Sequence, residues 1–136
     1  LAVLNYIECN HLVAKCKETG QYLLQKLCKL KDSYPIVGDV RGKGLLLGME
    51  LVANNVSKYP FANEKAVTMK IVEVAQQNGL LIYPAAAGDE TIGGDAIIIA
   101  PPLTITKEEV DELMSLLEKT ISEVSKQLQV GEEENE

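Results

Sequence analysis

The chain has 136 residues, a one-domain length, and 46% hydrophobic content supplies enough Val, Ile, Leu and Ala for a sizeable core, which excludes a mostly disordered chain. With 24% charged residues, 10 Gly, 5 Pro and no internal period, collagen-like and low-complexity classes drop out as well. A net charge of −7 and a lone arginine, Arg41, whose only basic neighbour is Lys43, leave no cationic stripe for nucleic acid or an acidic membrane, and no apolar run approaches the roughly 20 residues that span a bilayer. No signal-peptide pattern opens the chain, so it reads as soluble and cytoplasmic.

The first residues, Leu1-Ala2-Val3-Leu4-Asn5-Tyr6-Ile7-Glu8, start inside a helix-like apolar pattern without an initiator Met, as in a piece of something longer. Asn10 can cap a helix whose apolar set Leu12, Val13, Cys16, Leu23, Leu24, Leu27 and Leu30 recurs at helical spacing as far as Lys31. Gly20 falls on that face, where either another backbone passes close by or the helix is locally weak. Asp32-Ser33-Tyr34-Pro35 stops it. Cys9, Cys16 and Cys28 have spacings that suit neither zinc nor a redox dithiol, and they read as buried thiols. His11, the only histidine, cannot build a two-histidine metal site or a catalytic triad.

From Ile36 the pattern turns β-branched. Ile36-Val37 and Val40-Arg41 are followed by the nearly continuous apolar run Leu45 to Val52, a buried strand in which Gly48 suggests a bulge or a close-packed neighbour. Gly42-Lys43-Gly44 lacks both known glycine-rich phosphate spacings and reads as a turn between two strands, with direct phosphate contact as the lesser alternative. Ala53 to Lys58 is a loop. A second helix runs from about Asn63 to Asn78, with Val67, Ile71 and Val74 inward, and Asn78-Gly79 stops it. Leu80-Leu81-Ile82-Tyr83-Pro84 is a strand ended by proline, Ala85 to Asp95 a small-residue loop, and Ala96 to Ala100 the last strand, closed by Pro101-Pro102.

The last helix has the clearest signature. Thr106 caps it, Glu109 completes a capping box, Ile105 staples against Val110, and Val110, Leu113, Met114, Leu117, Ile121, Val124 and Leu128 form its inner stripe. The polar stretch over 130–136 is expected to be a disordered acidic tail. The fold class is α/β: a small three- to four-stranded, mixed or largely antiparallel sheet covered by helices, in one domain over 1–129. Glu108 and Glu109 suit the exposed amides of a helix start, not general acid–base work, and nothing in the segment makes a catalytic engine.

Two long stretches carry a resemblance. Val37-Gly38-Asp39-Val40-Arg41-Gly42-Lys43-Gly44-Leu45-Leu46-Leu47-Gly48-Met49-Glu50-Leu51 resembles the C-terminal small domain of class III pyridoxal-phosphate-dependent aminotransferases, which are fold type I enzymes. Downstream, in the same order, Asn78-Gly79-Leu80-Leu81 and Asp95 through Leu113 resemble that family's closing strand and last helix.

The resemblance implies a transaminase that moves an amino group from an amine or amino-acid donor to a keto acid, with pyridoxal 5'-phosphate as electron sink. It implies that a large domain supplies the reactive lysine and most cofactor contacts, so that no catalytic, cofactor-binding or metal residue is assigned to this chain. It also implies a homodimer in which the small domain closes one side of the substrate channel. Arg41, Gly42, Lys43 and Gly44 are the substrate-side or interface candidates. Many members hold a substrate carboxylate with an arginine three residues upstream of the first proline; here that residue is Ile98, and the 85–95 loop has no arginine either. This tilts the expected donor toward an amine or ω-amino acid. The alternatives are an aminomutase or decarboxylase of the same fold, and a stand-alone interaction or small-molecule regulatory module. The isolated piece is expected to be inactive and to expose the apolar face that its parent covers.

Overall fold

The structure, a computed structural model, describes residues 1–86 and 93–133, the last five of these by backbone alone. In chain order it contains α1 (Ala2–Cys9), α2 (Leu12–Ser33), β1 (Val37–Lys43), β2 (Leu46–Leu51), a 3-10 turn (Asn63–Lys65), α3 (Val67–Gln77), β3 (Tyr83–Ala86), β4 (Asp95–Ile99) and α4 (Lys107–Glu133). The four strands form one sheet in the order β1-β2-β4-β3, with every neighbouring pair antiparallel.

Strand alternation sends Leu47, Met49 and Leu51 of β2 and Ile97 and Ile99 of β4 to the same side, where all five are buried. Leu23, Leu27 and Leu30 of α2, Val67, Ile71 and Val74 of α3, and Val110, Leu117, Ile121 and Val124 of α4 close over them as one cluster. Full burial of each such aliphatic side chain stabilises the fold by about 1.5–3 kcal/mol, so this face sets the architecture. The other face carries Asp39, Arg41, Lys43, Leu46, Gly48, Glu50, Ala96, Ile98, Tyr83 and Ala85, and none of these is fully buried. We call it the open face.

The helix ends follow their local chemistry. At α4 the capping box forms in both directions: the Glu109 amide donates to the Thr106 hydroxyl at 3.2 Å, and the Thr106 amide donates to the Glu109 carboxylate at 2.8 Å. Gly79, with φ 87, ends α3 in a Schellman pattern in which its own amide reaches the Gln76 carbonyl at 3.0 Å and the Leu80 amide reaches Ala75 at 2.8 Å. The expected aliphatic core also holds, and the Tyr22 hydroxyl donates to Asp111 at 2.7 Å.

Several expectations are corrected. Asn10 does not cap α2: its side-chain amide donates back to the Tyr6 carbonyl at 2.8 Å, finishing α1, and His11, with φ 53, turns the chain into α2. The strand expected over Leu80–Pro84 lies at Tyr83–Ala86 and passes through Pro84, because β3 is an edge strand, where a missing N–H is tolerated. No bulge occurs at Gly48, which pairs regularly with Arg41 and Ile98; the ladder irregularity lies between Val37 and Asp39, at Gly38, whose bare Cα accommodates the Val52 side chain. The second helix divides into a 3-10 turn and α3 at Ala66, with φ 45.

The cysteines differ as well. Cys9 and Cys28 are exposed and Cys16 half-buried, because Cys28 falls beside the inward Leu27 rather than on the inner stripe. At the end of the chain, α4 continues past residue 129 to Glu133. Residues 134–136, and 87–92 of the expected 85–95 loop, lie outside the described residues.

Candidate functional site

β1 and β2 form a hairpin with the two-residue loop Gly44-Leu45, since Lys43 pairs with Leu46. Gly44 has φ 59, which suits glycine at the first loop position of a tight hairpin. The loop is clamped from the helix side. A Cβ on Gly20 of α2 would fall on the Gly44 backbone, 2.7 Å from its Cα, and a Cβ on Gly44 would lie 2.8 Å from the Cys16 sulfur. Of the two readings open for Gly20, close backbone approach is therefore the one observed.

Arg41 stands on the open face. Its Nη1 donates to the Asp39 carboxylate at 2.7 Å and lies 3.6 Å from Glu50 Oε2, a charge contact rather than a hydrogen bond. Lys31 of α2 donates to the other Asp39 oxygen at 3.1 Å. The Arg41 hydrogen bond, helped by Lys31, holds the Asp39 carboxyl below the usual carboxylate range, and Asp39 and Glu50 hold Arg41 more firmly charged. The group is two cations against two anions, so Arg41 enters any site with its charge already answered.

The four candidate residues thus do not converge. Arg41 and Lys43 occupy open-face positions of β1, whereas Gly42, Lys43 and Gly44 border a cavity of about 910 Å³ on the helix side, together with Ile7, His11, Cys16 and Leu24. Packed against Gly20 and Cys16, Gly44 does not fit as a phosphate cradle, and no chemical step is assigned to the turn. A second cleft, of about 500 Å³, lies where β3 and β4 end against α4, between Leu81, Ile98, Pro102 and Leu113. Among the described residues no group of three His, Cys, Asp or Glu side chains is placed to hold a metal ion, and no helix is long and apolar enough to cross a membrane.

The family model for class-III aminotransferases matches residues 1–121. The chain belongs to that family. It is 43% identical over 128 residues to an uncharacterized aminotransferase, YodT, of Bacillus subtilis, covering 94% of this chain and 29% of that protein. It is 36% identical over 133 residues to a leucine/methionine racemase of Thermococcus litoralis, covering 98% of this chain and 28% of that one. Among solved structures, a transaminase from the marine bacterium Virgibacillus superposes with a TM-score of 0.84 at 33% identity, over 90% of this chain and 27% of that chain. The chain therefore spans less than a third of the length of these relatives. Class-III aminotransferases use pyridoxal phosphate, so the family carries that cofactor chemistry.

Two features of this aminotransferase chain escaped sequence reasoning. The Asp39–Arg41 pair was legible as an i, i+2 spacing, which places both side chains on one face of a strand. The second is a clasp between α3 and β4: the Asp95 carboxylate accepts from both the amide and the hydroxyl of Thr68 at 2.7 Å, and the Thr68 hydroxyl accepts from the Ala96 amide at 3.2 Å. No local spacing announces a helix cap supplied from 27 residues away.

Proposed function

We propose that this chain is the C-terminal small domain of a pyridoxal-phosphate-dependent aminotransferase, that its open sheet face closes one side of the substrate channel, and that the reactive lysine and most cofactor contacts belong to a larger domain. The observation that carries this reading is the pairing of a family match over residues 1–121 with a span of only 29% of the aligned relative. The surface agrees with it. α1 buries none of its residues although Val3, Leu4 and Tyr6 are apolar or aromatic, and Leu1 at its N-cap is exposed as well; an unburied apolar helix calls for a covering partner.

When bound, the cofactor supplies the electron sink that makes amino transfer between an amine or amino-acid donor and a keto acid possible. This chain contributes shape: its sheet face excludes water from the channel and orients the substrate's non-reacting part. In the same reading the full protein is a cytoplasmic homodimer, residues 1–129 form the domain, and Arg41, Gly42, Lys43 and Gly44 lie on the substrate side or at an interface. Arg41 stands on the open face, and Gly42, Lys43 and Gly44 border the helix-side cavity.

The test is to purify the longer polypeptide that carries this sequence. It is expected to be yellow with bound cofactor and to bleach on addition of an amine donor, with the colour restored by a keto acid. A colourless polypeptide without affinity for pyridoxal phosphate overturns the reading. The likeness to a leucine/methionine racemase favours a second reading within the family, in which the α-hydrogen of an amino acid is exchanged without loss of the amine. Deuterium uptake at that carbon with no keto acid formed selects it.

A further inference from the structure

Gly48 is a glycine without a reason among the described residues. Among the glycines whose surroundings the structure describes, a Cβ on Gly20, Gly38, Gly42, Gly44 or Gly93 would lie under 3.0 Å from a neighbouring atom, and Gly79 has φ 87. Gly48 has neither a positive φ nor a crowded Cα: a Cβ there would meet only the Arg41 carbonyl oxygen, at 3.8 Å. A glycine inside a paired strand gives up backbone entropy and side-chain packing, so its presence points to something outside the described residues.

The register shows what surrounds it. Gly48 pairs with Arg41 on β1 and with Ile98 on β4, and Ile98 pairs with Tyr83 on β3, so Arg41, Gly48, Ile98 and Tyr83 form one row across all four strands of the open face. Along β2 the same face continues with Leu46 on one side and Glu50 on the other. The bare position is therefore a notch one side chain wide, with long side chains on every border. Its charge is settled, because Arg41 is engaged by Asp39 and Glu50. A protein layer packed on a sheet ordinarily lies about 10 Å away, and it needs a bare position only where its own backbone comes unusually close, as Gly44 does at Gly20. A single neutral notch fits a small uncharged group brought close to the strand.

We propose that Gly48 determines specificity in the reaction proposed above, its notch receiving the uncharged substituent on the substrate's reacting carbon. This rests on the open face being a wall of the substrate channel. The experiment uses the full-length enzyme with Gly48→Ala and Gly48→Val, and a series of primary amine donors that differ only in one substituent, from methyl to isobutyl. Each added methylene matters in a closed apolar pocket, so Gly48→Val is expected to lower kcat/KM for the isobutyl donor about 10-fold or more relative to the methyl donor, with Gly48→Ala between it and the wild type. The colour of the bound cofactor and the unfolding temperature are expected to stay as in the wild type.

An unchanged ratio between the two donors overturns the proposal. So does an equal loss on all donors accompanied by cofactor release or a lower unfolding temperature, which would place a protein segment against Gly48 instead. A wild-type enzyme that takes up no cofactor strikes at the proposed function itself, and it is recognised by its lack of colour before any variant is made.

Discussion

The two faces of one four-stranded sheet follow opposite rules. Residues one position apart on β2 and β4 alternate between Leu47, Met49, Leu51, Ile97 and Ile99, which are buried under three helices, and Leu46, Gly48, Glu50, Ala96 and Ile98, none of which is fully buried. The covered face is aliphatic apart from Met49 and from Asp95, which accepts from Thr68 of α3, so burial dominates the fold there. The open face mixes a neutralised ion cluster, a bare glycine, an isoleucine and a tyrosine in a single neighbourhood. Such a mixture packs poorly as a core, and it reads as a surface kept for something that arrives from elsewhere.

A matched pair of substitutions breaks this comparison most directly. Leu47→Asp buries an uncompensated charge at a position that is 1% exposed and is expected to cost more than about 4 kcal/mol, enough to unfold the chain. Leu46→Asp, one residue away at 63% exposure, is expected to change stability by no more than about 0.5 kcal/mol in this chain alone. Urea unfolding of the two variants side by side measures the difference. A large loss at Leu46 that appears only in the longer polypeptide would show the open face to be covered there.

The next effect in size concerns the hairpin clamp. In an ordinary helix Gly→Ala gains up to about 1 kcal/mol, but at Gly20 the added Cβ lands on the Gly44 backbone, which has no flexible end to move aside. Gly20→Ala is expected to destabilise by about 1–3 kcal/mol. A variant that melts at the wild-type temperature or above would mean that α2 and the loop separate freely, and would remove the clamp from the description.

What was legible in the sequence follows the same division. The helix stripes of α3 and α4, that of α2 except for the exposed Val13, the Thr106–Glu109 box and the stop at Gly79 are local signals, each carried within one or two turns, and these stand in the structure. Some errors were local, as at Asn10 and Ala66, and others arose where partners are distant in sequence. Pro84 looked like a strand end because nothing in the sequence says that β3 lies at an edge. Gly48 attracted the bulge that belongs to Gly38, because the Val52 side chain that needs the space is visible only after the strands pair. The four site candidates were found as one run of residues, yet strand alternation and the turn send them to opposite sides of the sheet, and the Asp95–Thr68 clasp had no local pattern to betray it.

The capping box offers a smaller effect, confined to the covered side. Thr106→Ala removes the hydroxyl that accepts from the Glu109 amide at the start of α4, and a lost cap of this kind costs about 1 kcal/mol. Thr106→Ser is expected to restore most of that loss in thermal unfolding, and an unaltered Thr106→Ala variant would mean that water serves the exposed amides equally well.

The smallest effect belongs to the open face and has a definite sign. Asp39 is held ionised by Arg41 and Lys31, so its folded carboxyl titrates below the usual carboxylate range. A group whose folded pKa is lowered binds protons less readily than its unfolded counterpart, so its contribution is fully present above the usual range and is lost as pH falls through the lowered folded value. Asp39→Asn is therefore expected to be slightly less stable than the wild type at neutral pH and to lose that deficit progressively under acid. Arg41 is 68% exposed, so added salt should shrink the neutral-pH difference as well. A difference between the two proteins that persists unchanged from neutral pH into strong acid would show that Asp39 acts through packing rather than charge, and the open face would then hold its arginine for reasons other than the neutral surround on which the Gly48 notch depends.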